Sequence, residues 1–359
     1  MAGLFDAITL RATEIRNRLW VAPMCQYSVL ERDGVPTDWH LVHLGALARG
    51  GAGLVIAEAT AVSPDARITP QDTGLWNDEQ EAAWARIAAF VRSQGAVPGI
   101  QIAHAGRKAS TFAPWGADRH GTVPPEEGGW QTVAPSAVAF EGYAVPRALG
   151  ADELPAIVRA FADSALRAVR AGFEVIELHA AHGYLIHQFL SPLSNQRDDE
   201  YGGSLENRAR LLLETVRGMR AALGDEVPLL VRFSGTDWAE GGWDADQTAT
   251  VAAWARDAGA DLFDISSGGL VAHQRIPAGP GYQVPLAERV SEEEVEVSAV
   301  GLITDPVHAD EIVRSGRATA VMLGRELLRD PHFPLRAATA LGVDLPYWPP
   351  QYLRAKPRL

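Results

Sequence analysis

At 359 residues, 47% of them hydrophobic, the chain is long enough to bury a large single-domain core, yet its longest apolar runs are too short to cross a membrane. A formal net charge of −13, with Lys and Arg scattered, argues against nucleic acid and anionic membranes as partners. The single cysteine, Cys25, excludes an intrachain disulfide, and an N-terminal stretch without signal-peptide features predicts a cytoplasmic protein.

Eight apolar runs of strand length alternate with amphipathic stretches along the chain. They occupy residues 19–24, 53–59, 99–105, 174–180, 228–234, 261–267, 295–301 and 319–324. Most are apolar throughout, as expected for parallel strands that are covered on both faces. Eight such strands, each followed by a helix-like stretch, predict an α/β fold with a (β/α)8 TIM barrel. An open doubly wound sheet is the alternative, but no strand is followed by its G-x-G-x-x-G fingerprint.

Three stretches between these runs have clear helix signals. An apolar face with helical spacing begins at Leu154. Ser204 is predicted to cap the N-terminus of a helix that ends near Gly224. The pair Asp305-Pro306 predicts the start of another helix, because proline suits the first helical position.

Residues 109–150 break the alternation of strands and helices. The stretch is rich in Pro, Gly and Trp, and we predict an inserted loop or hairpin after the third strand. In a barrel, a loop at this position lies over the face that holds the active site. Since no linker or low-complexity segment is visible, residues 1–359 are predicted to form one domain.

Polar residues gather where the predicted strands end, and in a barrel those ends converge on one site. His179 and His182 follow the fourth apolar run, three residues apart. Two neutral imidazoles there could hold one carbonyl oxygen and stabilise negative charge on it. The same pair, together with His104, could instead bind zinc in a hydrolase. Two ordinary polar residues at the start of a loop are a third interpretation.

Further residues at strand ends could take part in chemistry. Tyr184 is a candidate general acid, or an aromatic residue packed on the barrel rim. No histidine near Cys25 in the sequence suggests a catalytic Cys-His pair, which favours an inert thiol. Arg232 lies within an apolar strand and needs a polar partner that a ligand could supply. Gly324 and Arg325 could bind phosphate through backbone N–H groups, or form an ordinary solvated helix start. These patterns predict a polar pocket but no reaction.

Six motifs add a family resemblance that covers essentially the whole chain. They are APMCQYS (22–28), GIQIAHAGRKAS (99–110), IELHAAHGYLIHQFLSPLSNQRDDEYGGSLENR (176–208), GPGYQVP (279–285), AVGLITDP (299–306) and GRELLRDP (324–331). Together they resemble the old yellow enzymes, which are FMN-dependent ene reductases. Cys25, where another branch has Thr, is typical of the bacterial thermophilic-like branch that includes xenobiotic reductases. The resemblance implies a TIM barrel with bound FMN, NADPH or NADH as hydride donor, and activated alkenes as substrates.

The resemblance also implies roles for individual residues. His179 and His182 would hydrogen-bond the carbonyl oxygen of the substrate, and Tyr184 or water would donate a proton. Cys25 would tune the flavin and touch the substrate, and Tyr27 would line the substrate pocket. FMN contacts are implied for Ala22, Pro23, Met24, Cys25, Ala59, Gln101 and Arg232, and phosphate contacts for Val300, Gly301, Gly324 and Arg325. Donor and alkene would use one face of the flavin in turn, which predicts ping-pong kinetics.

The C-terminal tail, residues 341–359, contains PQYLR, which resembles a tail whose arginine enters the site of a neighbouring subunit. This implies a homodimer, or a tetramer built from dimers, with Arg354 as the entering residue. A frayed terminus is the alternative. Residues 111–133, with Trp115 and Trp130, resemble the xenobiotic reductases more than the compact members and could cover the pocket. Another FMN barrel, such as a dihydroorotate dehydrogenase or a dihydrouridine synthase, and a non-catalytic FMN-binding protein are rival interpretations.

Overall fold

Eight parallel strands form the centre of the fold. The computed structural model describes residues 2–115 and 119–358. The strands are β1 (Leu19–Val21), β2 (Leu54–Ala61), β3 (Val97–Ala103), β4 (Val175–Ala180), β5 (Leu229–Ser234), β6 (Leu262–Ser266), β7 (Val297–Ala299) and β8 (Ala320–Leu323). They pair in chain order, and β8 pairs with β1 to close the barrel. The predicted TIM barrel is confirmed, and each of the eight apolar runs overlaps one strand.

Helices cover the outside of the barrel. The described residues contain α1 (Asp38–Arg49), α2 (Asp78–Ser93), α3 (Leu154–Arg170), α4 (Leu185–Leu190), α5 (Leu205–Leu223), α6 (Ala245–Ala258), α7 (Val284–Ser291), α8 (Pro306–Arg314), α9 (Arg325–Arg329) and α10 (Phe333–Ala340). The predicted boundaries are confirmed. The Ser204 side chain accepts a hydrogen bond from the backbone N–H of Asn207 at the start of α5, and Asp305 caps α8 in the same way. No helix in the described part of the chain is long and apolar enough to cross a membrane.

The barrel interior has an apolar end and a polar end. One cluster of buried apolar side chains fills the N-terminal end: Leu10, Ile15, Trp20, Ala22, Leu54, Ile56, Val97, Val175, Leu230, Leu262, Ala320 and Met322. A short hairpin of Ile8–Leu10 and Thr13–Ile15, which the sequence patterns did not predict, contributes to this cluster. Nearer the C-terminal ends of the strands, buried positions hold Gln101, Glu177, Arg232 and Asp264. The polar site therefore lies at the C-terminal mouth, as in other barrels of this kind.

The predicted insertion lies between β3 and α3. Within it, Val133–Ala134 pairs in parallel with Arg147–Ala148, and Thr111 forms an antiparallel bridge with Thr122. Residues 116–118, part of the stretch predicted to cover the pocket, lie outside the described residues.

Candidate active site

His179, His182 and Tyr184 come together at the mouth of the barrel. β4 ends at Ala180, and His182 then adopts a left-handed backbone conformation with φ 57°. The centroid of the His179 ring lies 5.2 Å from that of His182 and 5.0 Å from that of Tyr184. A left-handed non-glycine residue stores strain of about 1–3 kcal/mol, which is typical of functional sites.

Gly183 allows the loop after β4 to approach the loop after β6 closely. It has φ 72°, and a Cβ there would lie 2.3 Å from the carbonyl oxygen of Gly269, so any side chain would push the loops apart. Lys108 ties the same two loops together. Its Nζ donates hydrogen bonds to the carbonyl oxygens of His182, at 2.9 Å, and Gly269, at 2.8 Å.

Hydrogen bonds select the imidazole nitrogens that can meet a ligand. The backbone N–H of Ala181 donates to Nδ1 of His179 at 3.3 Å, so the proton of this ring is on Nε2. Nε2 of His182 lies 2.7 Å from Oγ of Ser266, which leaves Nδ1 for a ligand. Burial, followed by the charge of Arg232, lowers the pKa of both imidazoles well below the ordinary histidine value. Both rings are therefore neutral near pH 7, and each can donate one N–H.

Cys25, Tyr27 and Tyr184 pack in one cluster with Ala59, and Tyr184 joins this cluster to His179. Burial raises the pKa of the Cys25 thiol and of the Tyr184 phenol well above their ordinary values. The thiol is thus protonated and a poor nucleophile, while the phenol keeps its proton until a basic group approaches it.

The loop after β1 is held in place by Glu58 of β2. Its Oε2 accepts a hydrogen bond from the backbone N–H of Gln26 at 2.8 Å, and its Oε1 lies 3.2 Å from Nε2 of His40. Tyr27 follows in a left-handed conformation, φ 49°, and its ring meets that of Trp115 edge-on at 5.0 Å. Trp115, from the stretch predicted to cover the pocket, therefore borders the site.

Deeper in the barrel lies a buried set of four polar side chains. Nε2 of Gln101 donates a hydrogen bond to Oε1 of Glu177 at 2.7 Å, and Nε of Arg232 lies 2.8 Å from Oδ2 of Asp264. All four residues are at most 5% exposed. The partner that Arg232 was predicted to need is thus supplied in part by Asp264. The contact with Asp264 is made through Nε of Arg232, and a planar guanidinium carries further N–H donors that a ligand could use.

The four residues expected to contact phosphate line one small cavity at the ends of β7 and β8. The cavity has a volume of about 110 Å³ and is lined by Val300, Gly301, Gly324 and Arg325, together with Tyr282, Gln283, Thr304 and Arg329. Gly301 has φ 130°, and a Cβ there would lie 3.0 Å from Nε2 of Gln283. Glycine is therefore the residue that this close approach requires.

The remaining predicted residues fall in two separate places. Ala22 continues β1, since its backbone N–H donates to the carbonyl oxygen of Leu323 at 3.0 Å, and Pro23 and Met24 follow towards the mouth. A Cβ on Gly324 would contact Sδ of Met24 at 3.4 Å, which places Met24 beside the small cavity. Arg354 is exposed and lies in a short 3-10 helix of the tail, Pro350–Ala355.

His104 does not join the other two histidines. Its Nδ1 accepts a hydrogen bond from the backbone N–H of Gly106 at 3.1 Å, and it lines a separate cavity of about 300 Å³ with Arg147. Within residues 2–115 and 119–358, no three His, Cys, Asp or Glu side chains are grouped closely enough to hold a metal ion. The three-histidine arrangement that a zinc site would need is not formed in that part of the chain.

Three residues that shape the site were missed by the sequence analysis. Lys108 lies with Nζ 5.2 Å from the centroid of the Tyr184 ring. Ser234 accepts a hydrogen bond from the backbone N–H of His182 at 2.9 Å, and Ser266 contacts the ring of the same histidine. A lysine shortly after the end of an apolar strand was the available signal, because serines at strand ends are too common to be informative.

The residues at the mouth fit an FMN molecule. The buried guanidinium of Arg232 offers donors to a flavin ring, and the amide of Gln101 lies in the same buried set. The small cavity beside Gly301, Gly324 and Arg325 offers a place for the phosphate. The donors at both ends suit an acceptor-rich, anionic cofactor, and the one acidic residue that lines the small cavity, Glu326, is paired with Arg329.

Comparisons with known proteins agree with this fit. The sequence matches the family described as NADH:flavin oxidoreductase / NADH oxidase over residues 3–343. A relative named NADPH dehydrogenase from Bacillus subtilis (strain 168) is 45% identical over 98% of each chain. A relative from Gibberella zeae, named an NADH:flavin oxidoreductase, is 46% identical over 95% of this chain and 86% of its own.

Solved structures share the fold over the full chain. An old yellow enzyme homologue from Zymomonas mobilis has a TM-score of 0.79 and 28% identity, with 100% of both chains covered. Morphinone reductase also has a TM-score of 0.79, with 30% identity over 96% of this chain and 90% of its own. The chain therefore belongs to the NADH:flavin oxidoreductase / NADH oxidase family, as an FMN-dependent oxidoreductase of old yellow enzyme type that uses a nicotinamide hydride donor.

Proposed function

We propose that the protein is an ene reductase, which reduces the activated C=C bond of α,β-unsaturated carbonyl compounds. The observation that carries the proposal is the group of two neutral imidazoles and one buried phenol at the barrel mouth, next to Arg232. Two N–H donors and one proton donor are the groups that such a reduction needs around a carbonyl compound.

FMN, when bound, supplies the redox chemistry, because it takes a hydride from NADPH or NADH and passes it to the β carbon of the alkene. We assign contacts with it to Ala22, Pro23, Met24, Cys25, Ala59, Gln101 and Arg232, and contacts with its phosphate to Val300, Gly301, Gly324 and Arg325. Arg232 stabilises the negative charge that reduction adds, and Cys25 tunes the potential from its place in the loop after β1.

His179 and His182 hold the carbonyl oxygen of the substrate in this proposal. His179 donates from Nε2, since its Nδ1 already accepts the Ala181 N–H. His182 donates from Nδ1, with the hydroxyl of Ser266 as donor to its Nε2. Negative charge that develops on the oxygen during hydride addition is stabilised by both N–H groups, which are in place before the reaction.

Tyr184 is the proposed proton donor to the α carbon, with water as the alternative source. Its ring lies against that of His179, so a carbonyl compound held by the histidines is close to the phenol. Tyr27 lines the substrate pocket in this proposal, and its ring contacts that of Trp115.

The proposal also assigns a role to the C-terminal tail. We infer that the enzyme is a homodimer or a tetramer of dimers, and that Arg354 reaches the substrate pocket of a neighbouring subunit. The exposed position of Arg354 in its own chain supports this inference. The single cysteine supports a cytoplasmic location, where thiols stay reduced.

Steady-state kinetics test the reaction order. NADPH and cyclohexenone are varied together, and parallel double-reciprocal lines are expected because donor and alkene use the same face of the flavin in turn. Intersecting lines would show that both substrates bind at once and would contradict the shared site.

A further inference from the structure

Glu177 lies in the barrel interior with only one oxygen hydrogen-bonded. Its side chain is fully buried, and Nε2 of Gln101 donates to Oε1 at 2.7 Å. Oε2 is buried and has no hydrogen-bond partner in the described part of the chain. An ionised oxygen in that position is costly, since neither water nor a donor stabilises its charge. Protonation removes the charge.

Two buried carboxyl groups share one buried cation in this set. Nε of Arg232 lies 2.8 Å from Oδ2 of Asp264, and Oγ of Ser298 donates to Oδ1 of Asp264 at 3.2 Å. Asp264 therefore has a cation beside Oδ2, in an ion pair without hydrogen-bond geometry, and a hydroxyl donor on Oδ1, whereas Glu177 has only the neutral amide of Gln101. If both acids were ionised, the set would carry a net charge of −1. A proton on Glu177 brings that charge to zero.

The neighbours of Glu177 on the adjoining strands agree with this assignment. The charged groups that face it are Arg232 of β5 and Asp264 of β6. Gln101 of β3 is uncharged, and His179, on the same strand as Glu177, is neutral. Burial, and then the charge of Asp264, raises the pKa of Glu177 to about 8, although Arg232 acts in the opposite direction. Burial also raises the pKa of Asp264, but the charge of Arg232 and the hydroxyl of Ser298 oppose that rise, so the shared proton is assigned to Glu177.

We propose that Glu177 carries a proton in the resting enzyme and thereby sets the reduction potential of the bound FMN. Its neighbours Gln101 and Arg232 are residues that we assign to cofactor contacts, so a charge on Glu177 acts on electrons added there. Reduction adds negative charge to the cofactor, and an ionised Glu177 would oppose it. A protonated Glu177 does not offset the positive charge of Arg232, so that charge can stabilise the reduced cofactor. Glu177 thus acts as a positioning residue. The inference needs FMN binding but not the alkene reaction.

Proton uptake at Glu177 accompanies reduction only in alkaline solution. Near pH 7 the carboxyl group is already protonated, and the cofactor gains two electrons and one proton as a hydride. Above the pKa of Glu177, the same reduction adds one further proton, from solvent, to the carboxylate. The potential then falls by about 30 mV more per pH unit, because a tenfold change in a two-electron equilibrium corresponds to about 30 mV.

The test measures the midpoint potential of the FMN-loaded enzyme from pH 6 to 9.5 in the wild type and in Glu177→Gln. Glutamine keeps the size of the side chain and can still accept the hydrogen bond from Gln101. Glu174→Gln is the matched control, since Glu174 precedes the same strand but is half-buried and pairs with Arg92. We expect wild type and Glu177→Gln to agree within about 30 mV at pH 7. Above pH 8 the midpoint potential should fall more steeply with pH in the wild type and in the Glu174→Gln control than in Glu177→Gln.

A potential at pH 7 that is raised by more than about 30 mV in Glu177→Gln would show that Glu177 is ionised and would overturn the proposal. A wild-type slope that is already steeper than that of Glu177→Gln between pH 6 and 7 would overturn it as well, because Glu177 would then be ionised before reduction. If the variant does not fold, infrared spectroscopy of the wild type decides the question. A buried carboxylic acid C=O band that is present at pH 7, is lost on alkaline titration and remains in Asp72→Asn supports the proposal, since burial also raises the pKa of Asp72 to about 7. The absence of such a band at pH 7 refutes it.

Discussion

The backbone N–H of Ala181 donates a hydrogen bond to Nδ1 of His179 at 3.3 Å, and this contact leaves the imidazole proton on Nε2. The neighbouring His182 is fixed through its other nitrogen, because Nε2 meets Oγ of Ser266 at 2.7 Å. The two rings therefore present different nitrogens to a ligand. Local hydrogen bonds, rather than the spacing of the two histidines alone, determine what this pair can bind.

Replacement of both His179 and His182 by Ala is expected to weaken enone binding by at least tenfold, because two donors to the carbonyl oxygen are lost. FMN should stay bound, since the residues assigned to it lie elsewhere. Titration of the oxidised enzyme with cyclohexenone, followed in the flavin spectrum, measures the affinity. Unchanged affinity would refute the role of the pair.

Ser266→Ala is expected to weaken enone binding by about fivefold, which corresponds to roughly 1 kcal/mol for one hydrogen bond. The hydroxyl group holds the His182 ring, so its loss frees the ring to turn. Ser164→Ala removes a buried hydroxyl group far from the mouth, bonded to the carbonyl oxygen of Leu75, and serves as the control. Equal affinities in the two variants would mean that Ser266 does not orient the ring.

Tyr184→Phe should slow the oxidation of reduced enzyme by enone by about 100-fold, the lower range for loss of a general acid. Reduction by NADPH should change much less, because that step needs no proton from the phenol. Stopped-flow absorbance measures both steps. Tyr201→Phe, whose hydroxyl contacts Glu214 away from the mouth, is the control. Equal slowing of both steps would assign Tyr184 to packing, with water as the proton source.

Asp237 stabilises the segment that follows β4. It accepts hydrogen bonds from Ser191 and the backbone of Trp243, and it pairs with His187, whose Nδ1 accepts the N–H of Gly183. Burial alone would raise the pKa of Asp237, but these partners hold it below the ordinary value.

Asp237→Ala is therefore expected to lower the free energy of unfolding by about 3 kcal/mol at pH 7. A carboxylate with a lowered pKa stabilises the fold above its unfolded-state value and loses that contribution as the pH falls through the folded-state value. The difference in the free energy of unfolding between wild type and Asp237→Ala should thus become smaller below about pH 4. Urea unfolding at several pH values measures this difference. A difference that does not change with pH would contradict the stabilising role of an ionised Asp237.

Arg354→Ala should weaken enone binding about fivefold if the tail enters a neighbouring pocket, since one charged hydrogen bond is lost. Arg358→Ala, four residues further along the tail, is the control. Sedimentation at the concentrations of the binding assay establishes whether subunits are associated. A monomeric enzyme, or equal affinities in both variants, would contradict the shared site.

The barrel was predictable because its strands are buried on both faces and so appear as continuous apolar runs. Ser204 and Asp305 were predictable because helix capping depends on local sequence. The hairpin of residues 8–15 was not, since its strands are only three residues each and pack against a barrel end that the sequence does not display.

The candidate site was predictable only in part. His104 and His179 each end an apolar run, yet only His179 joins His182, because side-chain direction at a strand end depends on the loop that follows. Lys108 and Ser266 reach the site through contacts between loops that are far apart in sequence. The protonation state of Glu177 depends on Asp264 and Arg232, which lie on two other strands. No spacing in the sequence connects these three residues.

The most direct test of the account is an anaerobic visible spectrum of the purified protein, recorded as NADPH and then cyclohexenone are added. The account predicts a yellow protein that bleaches with NADPH and recovers its colour with the enone. A flavin that bleaches but does not recover would contradict the ene reductase proposal, and a protein that stays colourless after addition of FMN would contradict the cofactor site itself.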